Sequence, residues 1–154
     1  MDFKSYVTGF VDGEGCFMVS FTLRAKLKTN IEVRPSFAIA QNKRSLAILE
    51  RIQKYFNCGG IRFDKKDQTY KYEVRSLKDL QNKIIPHFKK YPLMTSKAKD
   101  FEKFVIICDL MNKSKHLNAK YLEQIIQLAY TMNQAGKRKH TKTKLLSILD
   151  KMKI

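Results

Sequence analysis

Acidic residues are scarce in this chain. Its 154 residues include 14 Asp and Glu against 31 Lys and Arg, for a formal net charge of +17. So one-sided a surface repels itself, which argues against a protein with no partner and for an anionic one, nucleic acid above all. Long hydrophobic runs are missing too. None approaches the roughly 20 residues of a membrane span, and only the basic C-terminal segment hints at a membrane-surface helix, so no membrane partner is expected. Met1 to Ser5 lacks a signal-peptide layout, while Asp2 and Asp12 do not suit a mitochondrial presequence. The chain is expected to be made where it works, or to be imported by a route that its sequence does not display. Its 3 cysteines, Cys16, Cys58 and Cys108, are odd in number, far apart and free of any CxxC. That excludes a disulfide framework and a cysteine zinc site, and suits a reducing compartment. His87, His116 and His140 have no ligand spacing. No HExxH, Ser-His-Asp pattern or Gly-rich phosphate loop is present, so nucleotide hydrolysis and a small-molecule cofactor are not expected.

What is present is a clear order of elements. Phe3, Val7, Phe10 and Val11 recur at helical spacing and predict a first helix over about 3–13. Strict alternation follows. Phe17, Val19, Phe21, Leu23, Ala25 and Leu27 lie on one face, and Met18, Ser20, Thr22, Arg24, Lys26 and Lys28 on the other. After a turn near Thr29-Asn30, a second strand sets Ile31, Val33, Phe37 and Ile39 inward. Glu32, Arg34, Ser36, Ala38 and Ala40 face outward, and Pro35 suggests an edge or bulge. Leu46 to Phe56 reads as a second helix. Strands three and four set Ile61, Phe63, Tyr72 and Val74 inward, and Arg62, Asp64, Lys71, Glu73 and Arg75 outward. Ser76 with Asp79 resembles a capping box and opens a third helix. Tyr91-Pro92 breaks the pattern, and further helices carry Phe101 to Met111, Leu122 to Met132 and Leu145 to Met152. We divide the chain into a main domain, 1–135, and a basic extension with a short helix, 136–154.

The run Val7-Thr-Gly-Phe-Val-Asp-Gly-Glu-Gly15 stands at the first helix-to-strand junction. Gly9 and Gly13 lie one turn apart on one helical face, where they admit a second helix backbone to backbone. Glu14 then sits between two glycines where helix meets strand. Asp12 reads as a hydrogen-bond acceptor near the helix end. There is no second copy of this run and no internal repeat.

The run resembles the LAGLIDADG signature of homing endonucleases and intron maturases, with Val7-Thr8 in place of the usual Leu-Ala. Two further blocks, Phe37-Ala-Ile-Ala-Gln41 and Tyr91-Pro-Leu-Met-Thr-Ser-Lys97, stand in the matching order, so the resemblance covers about residues 5–133. It implies an α+β fold of order αββαββα, a four-stranded antiparallel saddle sheet on DNA and helices behind it. It also implies that Glu14 binds Mg²⁺ with help from the Gly13 carbonyl, with Mn²⁺ or Ca²⁺ able to occupy the same sites. Gln41 would orient the attacking water. A basic residue near the scissile phosphate falls by alignment at Thr95. Lys97 is the preferred candidate, with Lys43 and Lys99 as alternatives or the role absent.

A single motif carries a single well-placed acid, which argues for a homodimer with Gly9, Phe10 and Gly13 in the contact. Ser20, Thr22, Arg24, Lys26, Lys28, Arg34, Ser36, Arg62, Lys71, Glu73 and Arg75 have the donor and acceptor range to read base edges in the major groove. Lys137, Arg138 and Lys139, followed by Lys142 and Lys144, suit phosphates. The expected function is a Mg²⁺-dependent, intron-encoded homing endonuclease. It would cut both strands of a long pseudo-palindromic duplex, and be encoded in a chloroplast or mitochondrial genome. Lys, Asn and Ile usage fits such an AT-rich genome. The alternatives are an intron RNA maturase and a non-cleaving DNA-binding regulator on the same fold.

Overall fold

The computed structural model describes residues 1–133 and 136–152. The domain boundary expected after residue 135, and the chain end at 154, lie outside the described residues. The order of elements is α1 (Phe3–Glu14), β1 (Gly15–Leu23), β2 (Ile31–Asn42), α2 (Leu46–Phe56), β3 (Gly60–Asp64) and β4 (Thr69–Val74). Helices α3 (Leu77–Asp79), α4 (Ile85–Lys90), α5 (Lys97–Asn112), α6 (Ala119–Ala129) and α7 (Lys142–Met152) follow. The strands form one antiparallel sheet in the order β1-β2-β4-β3, so the α+β expectation holds.

Local chemistry sets the boundaries. The Asp2 carboxylate accepts from Lys4 N at 3.2 Å and opens α1, as Ser76 Oγ does for α3 and Asn118 Oδ1 for α6. Asn57, left-handed at φ 53°, closes α2. A π turn, Leu80–Ile84, joins α3 to α4. Pro86 follows at the start of α4. It lacks an N–H and its ring would strike the preceding turn, which the wider turn relieves.

Contacts divide the chain into two units that alternate along it. The first comprises Met1–Phe17 and Ser36–Phe101, the second Met18–Pro35 and the chain from Glu102 onward. The core of the first unit centres on Phe17, whose ring lies 5.2 Å from Phe37, 5.4 Å from Phe88 and 5.1 Å from Phe101. In the second unit, Val19, Phe21, Ile31 and Val33 of the strands are buried. So are Phe104, Ile107 and Cys108 of α5, Leu122, Ile125 and Ile126 of α6, and Leu145 and Leu149 of α7. Each helix buries the face that its three- and four-residue spacing defines.

Three expectations are corrected. First, β1 ends at Leu23, so Lys26 and Lys28 stand on a loop. Bonds from Arg24 N to Asn30 O, from Leu27 N to Arg24 O and from Asn30 N to Leu27 O close that loop. Asn30 accepts the left-handed φ of 59° it requires. Second, Ser36 and Ala38 are buried although they alternate with the inward residues. They are short side chains on a strand with neighbours on both sides. Third, Phe63 is 40% exposed. Strand β3 is short and forms the sheet edge, where Phe63 lies 4.9 Å from the ring of its cross-strand neighbour Tyr70.

The motif helix is tied into the first unit by a buried polar network. The Thr8 hydroxyl donates to Tyr91 O at 2.9 Å, so it accepts from His87 Nε2–H at 3.1 Å. His87 Nδ1 then accepts from the Tyr55 hydroxyl at 2.8 Å. Burial, aided by the nearby charge of Lys4, pulls His87 from 6.5 down to about 4. Between those values the unfolded chain takes up a proton that the folded chain refuses. Stability is therefore full above pH 6.5 and falls as the pH drops toward 4. Thr8→Val should cost roughly 1–3 kcal/mol by leaving the His87 N–H and the Tyr91 carbonyl unpaired. Denaturant melts at pH 7 and pH 5 check both effects.

Candidate functional site

Helix α1 ends at Glu14, and Gly15 begins β1 without a loop between them. That junction depends on Gly15. A Cβ there would stand 2.7 Å from Val11 Cγ1 and 3.1 Å from the Val11 backbone. Gly9 and Gly13 differ: a Cβ at either would meet nothing within 4 Å. Packing within the chain thus accounts for Gly15 and leaves the bare face at Gly9 and Gly13 without an internal reason. Phe10 is half-buried beside that face, stacked on Tyr6 at 5.8 Å.

The end of α1 is fixed from two directions. The Asp12 carboxylate accepts from Met94 N at 2.9 Å, Thr95 N at 3.1 Å and Thr95 Oγ1 at 2.7 Å. In return, Lys97 Nζ donates to Val11 O at 2.8 Å and Asp12 O at 3.1 Å. These carbonyls belong to the last turn of α1, where helical bonding leaves acceptors unpaired and partial negative charge collects. Burial works to raise the Asp12 carboxyl. The bonds from Met94 and Thr95 and the charge of Lys97 outweigh it and hold the group below its ordinary value.

Gln41, next to last in β2, reaches the acid. Its Nε2 donates to Glu14 Oε2 at 3.2 Å and to its neighbour Ala40 O at 2.8 Å. The structure thus brings together Glu14 and Gln41, two of the residues singled out from sequence, and places Lys97 on the same helix end. Lys43 instead donates to Gln68 Oε1 at 3.3 Å, and Lys99 is exposed on α5. Asp12 takes the acceptor role assigned to it. Thr95, where alignment set the basic residue, is part of this latch. Among the described residues no three His, Cys, Asp or Glu converge as a metal site. Glu14 with the Gly13 carbonyl is a hard-oxygen donor set, which suits Mg²⁺ or Ca²⁺.

The surface residues fall into separate groups. In the second unit, Ser20, Arg24 and Arg34 are exposed and Thr22 is half-buried. Arg24 pairs with Glu32 at 3.3 Å. In the first unit, Arg62 and Arg75 are exposed and Lys71 and Glu73 partly so, all four joined by ion pairs. Lys137 and Lys139 are exposed and border a cavity of about 110 Å³ with Met18, Ser20, Phe21 and Tyr130.

Arg138, between those lysines, has other partners. Its guanidinium donates to Val19 O and to Ala129 O, both at 2.6 Å, and lies 4.5 Å from the Tyr130 ring centroid. It clamps the basic segment to a strand and a helix end of its own unit. Sequence reasoning placed it with the phosphate contacts because a Lys-Arg-Lys run carries no sign of which side chain turns inward. Sequence reasoning also missed the pairing of Thr8 with His87, 79 positions apart. The departure from Ala at Thr8 was the one signal.

The LAGLIDADG endonuclease model matches residues 7–108. The chain belongs to that family. It is 36% identical over 130 residues to probable intron-encoded endonuclease 2 of Neurospora crassa, covering 84% of this chain and 29% of that protein. The chain thus spans less than a third of the length of the first curated relatives it matches. Among solved structures it is similar to the homing endonuclease I-TnaI, with a TM-score of 0.84, 35% identity and 97% of each chain covered. It is also similar to the archaeal intron-encoded homing endonuclease I-Vdi141I complexed with DNA. There the TM-score is 0.89 and the identity 30%, covering 99% of this chain and 98% of that one.

Two substitutions probe the site's supports. Asp12→Ala should lower unfolding free energy by about 0.5–2 kcal/mol, as loss of a helix cap does. Arg138→Ala should cost a similar amount, roughly 1.5–3 kcal/mol, through two lost charge-assisted bonds. Urea titrations of the folded chain measure both. No change in Arg138→Ala would return that side chain to the phosphate group.

Proposed function

We propose that this chain is a site-specific homing endonuclease that cuts both strands of a long, near-palindromic duplex as a homodimer with Mg²⁺. The observation that carries this reading is the Glu14–Gln41 pair at the end of α1, beside a glycine face that none of the described residues fills. One carboxylate is too few for phosphodiester hydrolysis at two strands. A second copy docked on Gly9, Phe10 and Gly13 would bring a second Glu14 and complete the donor set.

Glu14 and the Gly13 carbonyl would hold the metal. Bound Mg²⁺ supplies charge neutralisation at the phosphate and a more acidic water. Gln41, bonded to Glu14, can donate to and accept from a water beside it and so orient it for in-line attack. Lys97 has its ammonium on the α1 carbonyls and adds positive charge where the scissile phosphate's negative charge builds up. Ser20, Thr22, Arg24 and Arg34 are assigned to base edges or flanking phosphates, as are Arg62, Lys71 and Arg75; the buried Ser36 is not. Lys26 and Lys28 on the hairpin loop, with Lys137 and Lys139, are assigned to phosphates. We keep residues 1–135 as the endonuclease domain and 136–154 as its basic extension. The names of intron-encoded relatives support intron encoding, and the AT-rich residue usage supports an organelle genome.

Incubation with a randomised-target plasmid library, in Mg²⁺ and in EDTA, tests this reading. Sequenced ends should converge on one pseudo-palindromic site, with cutting abolished by EDTA and reduced at least about 100-fold in Glu14→Gln. Binding without cuts at full library coverage would overturn it.

A further inference from the structure

Glu73 is the centre of the densest charge cluster among the described ion pairs. Its carboxylate meets Arg75 Nε at 2.9 Å, Lys71 Nζ at 3.4 Å and Arg62 Nη2 at 3.9 Å. The Glu73 side chain is 13% exposed, against 61% for Arg62 and 54% for Arg75. The anion is thus set low, with cations standing around it. Backbone register explains the arrangement. Glu73 lies opposite Gly60 on one side and Ala38 on the other, so no long side chain crowds its carboxylate. Arg62 lies directly opposite Lys71, a like-charge pair that would repel without an anion between them. Lys71, Glu73 and Arg75 share one strand face by their two-residue spacing.

Resting on the endonuclease reading above, we propose that Glu73 is a positioning residue for sequence discrimination. It fixes Arg62, Lys71 and Arg75 for donation to purine acceptors in the major groove and weakens their pull on phosphates of any sequence. Base reading requires a fixed donor geometry, because a bidentate contact to guanine tolerates little displacement. Phosphate attraction requires none, since it is a long-range term common to all duplexes. An anion placed among three cations subtracts from the second term in every complex. It returns the loss only where the fixed donors meet matching bases. Bound and free, Glu73 would therefore act through its neighbours rather than by touching DNA.

The test compares full-length wild type with Glu73→Gln and Glu73→Asp, in Ca²⁺ without Mg²⁺. The probes are the duplex recovered from the cleavage library and a scrambled duplex of equal length, across a salt series. Thermal melting first establishes that each variant is folded. Glu73→Gln should bind the scrambled duplex about three- to tenfold more tightly near 0.1 M salt, with the salt slope steeper by up to about 1.8, or about 0.9 for each copy in the homodimer. Its preference for the recovered site should fall about tenfold or more. Glu73→Asp, which keeps the charge, should keep the wild-type slope and lose only part of the preference. A structural role alone would weaken binding to both duplexes and leave the slope unchanged. That pattern, or unchanged preference in a folded Glu73→Gln, would overturn the assignment. A wild type that prefers no duplex would instead overturn the site-specific reading beneath it.

Discussion

The crossed latch between Asp12 and Lys97 sets where the motif helix stops. A carboxylate on α1 takes the N–H groups of Met94 and Thr95 just ahead of α5. An ammonium on the first residue of α5 takes the carbonyls of Val11 and Asp12. Each group neutralises partial charge at the other helix's end, where backbone bonding leaves it exposed. With the helix end held and Gly15 pressed on Val11, the chain turns at once into β1. Glu14 is left at the turn with its side chain toward Gln41. The acid that would do the chemistry is positioned by Asp12 and Lys97, each turned onto the other helix's end.

The net charge of +17 overstates what is available to a nucleic acid. Arg138 is committed to two carbonyls, Lys97 to two more and Lys83 to Asn57 O at 2.7 Å. Arg62, Lys71 and Arg75 share Glu73. Some cations thus hold the fold, some are gathered on a carboxylate, and others, such as Lys137 and Lys139, stand exposed. A charge count cannot separate these roles, because each depends on contacts that sequence does not rank.

Much of the fold was legible because it rests on local rules. Alternation marked the strands, the three- and four-residue spacing marked the helices, and Asp2, Ser76 and Asn118 marked where helices begin. Glu14 and Gln41 were legible through resemblance. What was hidden depends on neighbours remote in sequence. The alternation in β1 continues past Leu23, yet closure of the hairpin at Asn30 takes Lys26 and Lys28 out of the strand. Ser36 looks outward by parity and is covered because its strand is internal to the sheet. Phe63 looks inward by parity and is uncovered because its strand is the edge. Thr8 read as a departure from the motif, and its partner His87 makes it a buried hydrogen-bonding site.

The central claim is that one chain holds half of a shared catalytic centre. Co-refolding wild type with Glu14→Gln in known ratios, then measuring double-strand cleavage of the recovered site, tests it most directly. If both copies must contribute an acid, activity falls as the square of the wild-type fraction, to about one quarter in an equal mixture. A fall in simple proportion, to about one half, would mean that each chain cuts by itself and would contradict the shared centre.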